Sequence, residues 1–125
     1  MAGATPTYDT GVLITMANSG NTTINSTDQS NYFSRGVIVS NNLTIAAGNL
    51  TIKVQGKDTA SGTYYDILDS AVISSTAFST LTIYPGAPVT SNVSVNAPLP
   101  ATWRVSAVIG STGNVTGTIG ASVIE

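Results

Sequence analysis

The chain has 125 residues, of which 42% are hydrophobic and 8% charged, and it contains neither cysteine nor histidine. This length suits one domain that folds without a disulfide or a metal, and the two missing residue types exclude thiol chemistry and the commonest general base and transition-metal ligand. With a net charge of −2 and only four scattered basic residues, the chain is not expected to bind nucleic acid or an anionic membrane.

The first predicted strands show apolar residues alternating with polar ones, the period-2 pattern of a strand with one wet face. Residues 10–17 form the first strand, and the polar residues 18–31 are predicted to be a long loop or a weak edge strand. Residues 33–45 form the next strand, with a bulge predicted at Gly36. The side chains predicted to face inward from these two strands are Val12, Ile14, Met16, Val37, Val39, Leu43 and Ile45.

A β-hairpin is predicted for residues 49–69, which read NLTIKVQGKDTASGTYYDILD. It follows a predicted turn at residues 46–48, and residues 56–62 supply the turn chemistry between its two strands. The returning strand begins with Tyr64 and Tyr65. Because neighbouring residues on a strand point to opposite faces, one tyrosine is expected in the core and the other on the surface.

The C-terminal half is predicted to hold five further short strands. They cover residues 71–73, 78–84, 89–95, 102–109 and 115–124. Prolines end the second and third of these strands, because proline cannot donate to a strand ladder, and GSTGN makes a turn between the last two. The side chains predicted to face inward from the last two strands are Trp103, Val105, Ala107, Ile109, Val115, Ile119, Ala121 and Val123.

Eight or nine short strands without a helical pattern predict an all-β fold, a single-domain β-sandwich that is jelly-roll-like. Residues 32–125 are predicted to form the sandwich, and residues 1–31 an N-terminal arm or edge segment. No apolar run approaches the ~18 residues that cross a bilayer. The first residues lack the pattern of a signal peptide, so the chain is expected to stay in the cytoplasm in which it is made.

No catalytic, cofactor-binding or metal-binding residue is predicted. Asp66 and Asp69 lie three apart on a predicted strand, so they are expected to point to opposite faces and not to act as a glycosidase pair. With Asp58 they are interpreted as turn-forming residues, and a calcium site built from Asp58, Asp66 or Asp69 with loop carbonyls is the alternative.

Three other features each allow two interpretations. Trp103, the only tryptophan, is predicted to anchor the core, with an exposed sugar-stacking platform as the alternative. Arg104 is expected either to pair with a carboxylate or a neighbouring subunit, or to be solvated. Six Asn-x-Ser/Thr sequences are interpreted as a by-product of strand patterning in a chain rich in Asn and Thr, with glycosylation as the alternative. They begin at Asn21, Asn25, Asn42, Asn49, Asn92 and Asn114.

Several short elements carry a resemblance to a known family. They are VQGKD, SGTYYDIL, a strand that ends in Pro-Gly, LPATWRV and a final strand, all between Ser34 and Ile124. Together they resemble small β-sandwich structural proteins of tailed bacteriophages, of the capsid decoration or cement type. The low charge agrees with this resemblance, because a surface of hydroxyl and amide groups favours a protein that works inside an assembly.

The resemblance implies a non-enzymatic virion structural protein. It would be a homotrimer, made in the host cytoplasm, that binds the major capsid protein on the outer surface of a capsid and stabilises the shell. The N-terminal residues 1–31 fall outside the resemblance and are expected to be the docking arm. The alternatives are a phage tail or fibre component and a carbohydrate-binding β-sandwich module.

Overall fold

The computed structural model describes residues 9–31 and 34–124. Strands make up 68% of this part of the chain, and it contains no helix, hence none that is long and apolar enough to cross a membrane. The eight strands are β1 (Asp9–Ser19), β2 (Thr22–Asn25), β3 (Gln29–Ser30), β4 (Gly36–Lys57), β5 (Tyr64–Asp69), β6 (Ala77–Ile83), β7 (Ser94–Val95) and β8 (Thr102–Ile124). The predicted all-β, single-domain fold of eight or nine strands is therefore confirmed.

All eight strands belong to one sheet, which is built on the two long strands β4 and β8. The order is β1-β8-β4-β6-β7, with β2 and β3 also paired to β8 and β5 also paired to β4. Every pair is antiparallel except β6 and β7. The jelly-roll part of the prediction is not confirmed, since the strands form one mixed sheet.

Each long strand bends at a corner where a turn was predicted. The predicted turns at residues 46–48 and at GSTGN are wrong, because β4 and β8 run through both places and stay paired with each other. Register shifts flank Ala47, Gly48 has a φ of 72°, and Ser111 and Thr112 have φ values of 54° and 53°. Such bulges let a strand change direction without ending, so the sheet folds back on itself at this corner.

The corner divides the sheet into two half-sheets. The first half-sheet contains β1, β6 and the halves of β4 and β8 that hold residues 36–45 and 115–124. The second contains β2, β3, β5 and the halves that hold residues 49–57 and 102–110. Inward side chains from both form one hydrophobic cluster, so the half-sheets pack against each other in a sandwich-like arrangement.

The predicted inner faces are confirmed for most positions. The buried side chains include Ile14, Met16, Val37, Val39, Leu43, Trp103, Val105, Ala107, Ile109, Val115, Ile119 and Ala121. Ile45 and Val123 are half-buried and pack against this cluster. One polar side chain, Asn41, shares the inner face of β4 and donates from its amide to the carbonyl and hydroxyl of Ser79.

Two local predictions are wrong for reasons that the pairing register makes clear. Val12 is 61% exposed and does not share a face with Ile14, because a register shift between them inserts Leu13 and reverses the alternation. Gly36 is not a bulge, since it pairs in regular register with Ile124. A side chain at residue 36 would instead overlap the carbonyl oxygen of Ile83, so glycine permits the close approach of these backbones.

The described part of the N-terminal segment lies along β8. Residues 18–31 include the short strands β2 and β3, and β1 supplies Ile14 and Met16 to the core. The predicted domain boundary falls at Tyr32, and one strand was predicted to begin at Phe33. Both residues lie outside the described residues. Residues 1–8 also lie outside them.

The two weakest predicted strands are short. Residues 71–73 contribute one bridge, from Ile73 to Leu50, and residues 89–95 contribute β7 and a bridge between Thr90 and Ser94. Residues from both segments line one groove together with residues 79–81 of β6.

Candidate binding surfaces

The outer face of the first half-sheet is exposed, and the residues that form it are uncharged, with Asp9 paired to Ser122 at its margin. One row across the four strands runs Val12, Gly120, Ser40 and Thr80, and the next runs Thr15, Thr118, Asn42 and Phe78. We call this surface the hydroxyl face. It comprises Val12, Thr15, Ala17, Ile38, Ser40, Asn42, Thr44, Phe78, Thr80, Thr82, Thr116, Thr118, Gly120 and Ser122.

Large apolar side chains stand among the hydroxyls and amides of this face. Phe78 is 67% exposed, Val12 61% and Ile38 37%. Exposed apolar side chains grouped within a polar surface are typical of contact surfaces. The hydroxyl face is therefore the first candidate binding surface of the protein.

The outer face of the second half-sheet carries a charged network. The guanidinium of Arg104 lies 3.4 Å from the ring centre of Tyr64 and donates from Nε to the side-chain oxygen of Gln55 over 2.9 Å. Gln55 in turn donates to Asp66 over 2.9 Å, and Lys53 Nζ lies 3.2 Å from the other oxygen of Asp66. Arg104 is thus half-buried, stacked on an aromatic ring and hydrogen-bonded to an amide oxygen, with no carboxylate in ion-pair contact among the described residues.

Asp28 connects the chain before β3 to the hairpin formed by β4 and β5. Its carboxylate accepts from the Tyr64 hydroxyl over 2.6 Å and from Lys57 Nζ over 3.0 Å. These contacts lower the pKa of Asp28 and raise the pKa of Lys57. The sequence analysis did not identify Asp28. Its partners Lys57 and Tyr64 lie 29 and 36 residues away, and no local sequence pattern indicates such distant contacts.

The prediction that Asp66 and Asp69 point to opposite faces is wrong. Both lie within reach of Lys53, at 3.2 and 3.9 Å, and so share one face. The register shifts between the pairs Val54–Leu68 and Gln55–Asp66, so Ile67 is an extra residue that reverses the alternation of β5.

The two carboxyls differ in their environments. The hydrogen bond from Gln55 lowers the pKa of Asp66, with Lys53 acting in the same direction. Burial raises the pKa of Asp69, and the nearby charge of Asp66 adds to this effect. One Asp69 oxygen is buried and has no hydrogen-bond partner, which agrees with a disfavoured ionised form.

We therefore expect Asp69→Asn to raise the melting temperature at pH 7. A carboxyl whose pKa is raised on folding stabilises the fold less as the pH rises through that pKa, so its neutral replacement removes a cost that is present at pH 7. The gain should be below about 1 kcal/mol, because the side chain is partly exposed. Thermal unfolding followed by circular dichroism at pH 7 and pH 4 would measure it, and the gain should be smaller at pH 4.

The matched control is Asp66→Asn, which should lower the melting temperature at pH 7. The pKa of Asp66 is lowered on folding, so its ionised form stabilises the fold at neutral pH and loses this effect as the pH falls through its pKa. Equal shifts of the same sign in the two variants would show that the two environments do not differ.

Comparison of the chain with protein-family models, with curated proteins and with solved structures gives no match. The inference of function therefore rests on the residues themselves.

The calcium alternative finds no support in the positions of the carboxylates. Asp58 accepts hydrogen bonds within its own turn, from the backbone N–H groups of Ala60 and Ser61 and from the Ser61 hydroxyl, and these bonds lower its pKa. Within residues 9–31 and 34–124, no group of three or more acidic side chains is placed to hold a metal ion. Asp58 is therefore a turn residue, as interpreted from the sequence.

Trp103 does not form the sugar-stacking platform that was the alternative to its place in the core. Trp103 is completely buried, which confirms its predicted place in the core. Neither Tyr64 nor Tyr65 lies in the core, which corrects the prediction that one of them would. Tyr64 is half-buried beneath Arg104, and Tyr65 is 48% exposed because its ring lies across Gly56, which has no side chain to displace it.

A groove of 340 Å³ runs beside β6. It is lined by residues 70–75, residues 79–81, Asn92 and Val93. Val72 is 63% exposed and Val93 46% exposed, and both line the groove. We call it the β6 groove. It joins the edge of the hydroxyl face at Thr80.

Proposed function

We propose that the chain is a non-enzymatic virion structural protein of the capsid decoration type. In this proposal it is a homotrimer that binds the major capsid protein on the outer surface of a phage capsid and stabilises the shell. The observation that carries the proposal is the hydroxyl face, which is four strands wide and whose residues are all uncharged, with Asp9 paired to Ser122 at its margin. The motifs between residues 34 and 124, with their resemblance to decoration proteins, indicate the class of partner.

A neutral face suits permanent attachment to a protein shell. Removing water from charged side chains is costly, whereas hydroxyl and amide groups can exchange water for hydrogen bonds to a partner. The exposed Phe78, Val12 and Ile38 would add apolar burial to such a contact.

The charged network gives indirect support. It holds three carboxylates and three basic groups, linked directly or through Gln55 and Tyr64, so it leaves little net charge for attracting a charged ligand. Its members are Asp28, Asp66, Asp69, Lys53, Lys57 and Arg104. The network is better explained as a brace that joins β8, β4 and β5 to the chain before β3.

The expected docking arm of residues 1–31 cannot be treated as a separate segment over residues 9–31. Residues 9–31 contribute β1, β2 and β3 to the sheet, and Ile14 and Met16 to the core. Deleting the whole of residues 1–31 would therefore damage the fold, so a surface substitution is the better test of binding.

The test is Thr44→Glu, which places a negative charge in the hydroxyl face on the central strand β4. Full-length protein should sediment with undecorated capsids assembled from the major capsid protein of the same virus. Thr44→Glu should remain largely in the supernatant, because a buried and unpaired carboxylate opposes binding. Heating the decorated and undecorated capsids would report the stabilisation.

The control is Thr59→Glu, the same exchange at an exposed turn position next to Asp58. It should bind capsids like the unmodified protein. The proposal fails if the unmodified protein does not sediment with capsids, and the hydroxyl face is not the contact if both variants bind equally well.

A further inference from the structure

Strand β6 has an edge that the described part of the sheet leaves open. β7 pairs with β6 only at Thr82 and Ile83, so residues 77–81 have no strand beside them on that side among the described residues. The N–H group of Thr82 donates to the Val93 carbonyl on this side. Backbone groups alternate in direction along a strand, so the N–H and C=O groups of Phe78 and Thr80 also point to the open edge.

The surroundings of this edge lack the features that usually block strand addition. Residues 70–83 contain no lysine, arginine, glutamate, aspartate or proline, and natural edge strands are commonly protected by charge, by proline or by a bulge. The register of β6 against β4 shows no bulge either. The β6 groove beside the edge offers the apolar side chains of Val72 and Val93.

The opposite edge of the first half-sheet is β1. It is the terminal strand of the described sheet on that side, and apart from Asp9, its first residue, it carries no charge. Its exposed side chains include Val12 and Thr15. Beyond Asp9, the two edges therefore match in charge, since both are neutral, and in character, since both combine hydroxyl groups with exposed apolar side chains.

The two edges also match in direction. Since β1, β8, β4 and β6 are successively antiparallel, β1 and β6 run in opposite directions. Copies of the chain related by rotation about an axis parallel to the strands keep their strand directions. The β1 edge of one copy would then meet the β6 edge of the next copy as an antiparallel neighbour.

We propose that copies of this chain associate through a head-to-tail contact in which β1 of one copy adds to β6 of the next. The partner is thus a second copy of the same chain, and the contact is heterologous, so a rotation of one third of a turn between copies would close it into the trimeric ring. The outward groups of Phe78 and Thr80 would gain hydrogen bonds, and the hydroxyl face would continue from copy to copy. This inference rests on the homotrimer of the proposed function and specifies its contact.

Because the chain contains no cysteine, two single substitutions can report this contact without background. Thr15→Cys marks the exposed face of β1, and Thr80→Cys marks the open edge of β6. A short bis-maleimide linker should join the two variants into dimers when they are mixed, and should give far less product with either variant alone. Mass spectrometry of the product would identify the two cysteines.

A second measurement uses charge. Thr80→Lys should convert the assembled protein to monomers in sedimentation velocity at a concentration at which the unmodified protein is assembled, because lysine blocks strand addition. Thr116→Lys, on the same face but on the interior strand β8, should leave the assembly intact. Circular dichroism would confirm that both variants are folded.

The outcomes separate this contact from the capsid role. Cross-linking of Thr80→Cys to itself would overturn the proposal in favour of a two-fold β6–β6 contact. An assembly that survives Thr80→Lys, or an unmodified protein that is monomeric, would also overturn it. Sedimentation of the unmodified protein with capsids tests the proposed function, and its result does not depend on the outcome of the cross-linking or of Thr80→Lys.

Discussion

Trp103→Ala should destabilise the protein by about 3–5 kcal/mol, the usual cost of removing a large aromatic side chain from a core. Trp103 is completely buried, and it lies in the same cluster as Val105 of β8 and Val54 of β4. Such a loss is a large share of the ~5–15 kcal/mol that stabilises a typical domain. Urea unfolding followed by far-ultraviolet circular dichroism would measure it, since the variant lacks the only tryptophan fluorophore.

Two further variants test the cause of that loss. The indole Nε1 is buried without a hydrogen-bond partner, so Trp103→Phe removes an unsatisfied donor while it keeps most of the apolar contact. We expect it to cost less than half as much as the alanine variant. Phe78→Ala, on the exposed hydroxyl face, should stay within about 0.5 kcal/mol of the unmodified protein. A small effect of Trp103→Ala would contradict the role of this side chain as the core anchor.

The alternation of apolar and polar residues was sufficient to predict which faces are buried wherever a strand is regular. Val37, Val39 and Leu43 are inward, as are Val105 and Ile109, because period 2 holds between bulges. Asn41 follows the same period although it is polar, and its amide nitrogen has partners at Ser79, whereas its buried side-chain oxygen has none. The strand alternation thus places a polar side chain on the inner face where its amide nitrogen can donate hydrogen bonds.

Bulges explain most of the errors. An extra residue at Leu13 exposes Val12, and one at Ile67 brings Asp66 and Asp69 to the same face. A bulge is defined by the pairing of two strands, so its position depends on a partner that can lie tens of residues away. The charged network could not be predicted for the same reason, since Arg104 meets Gln55 across 49 residues.

The corner was mistaken for two turns because its residues have turn chemistry. Glycine, serine and threonine at residues 110–113 are typical of a turn, and so is the Ala-Ala-Gly of residues 46–48. Two turns would end four short strands, whereas the structure uses the same residues to bend two long ones. A turn and a bend in a strand differ here in whether β4 and β8 remain paired on both sides of the corner. Local sequence does not encode that pairing.

Gly48→Ala should destabilise the protein by about 2–5 kcal/mol, the sum of two separate costs. The φ of 72° disfavours any residue with a side chain by about 1–2 kcal/mol. A methyl group at this position would also overlap the Cα of Gly113 and lie 2.6 Å from the carbonyl oxygen of Gly110. Overpacking of this kind costs about a further 1–3 kcal/mol. The free energy of unfolding in urea is the measurement.

Gly62→Ala separates the two costs. Gly62 has a similar φ of 77°, but a methyl group there would have no atom within 4 Å. It should therefore show the backbone cost alone, about 1–2 kcal/mol, and the difference between the variants is the crowding at the corner. If the two substitutions destabilise equally, the backbones of β4 and β8 do not approach each other closely at Gly48. The fold would then not depend on a tight corner, and the two half-sheets would be held together by their shared core alone.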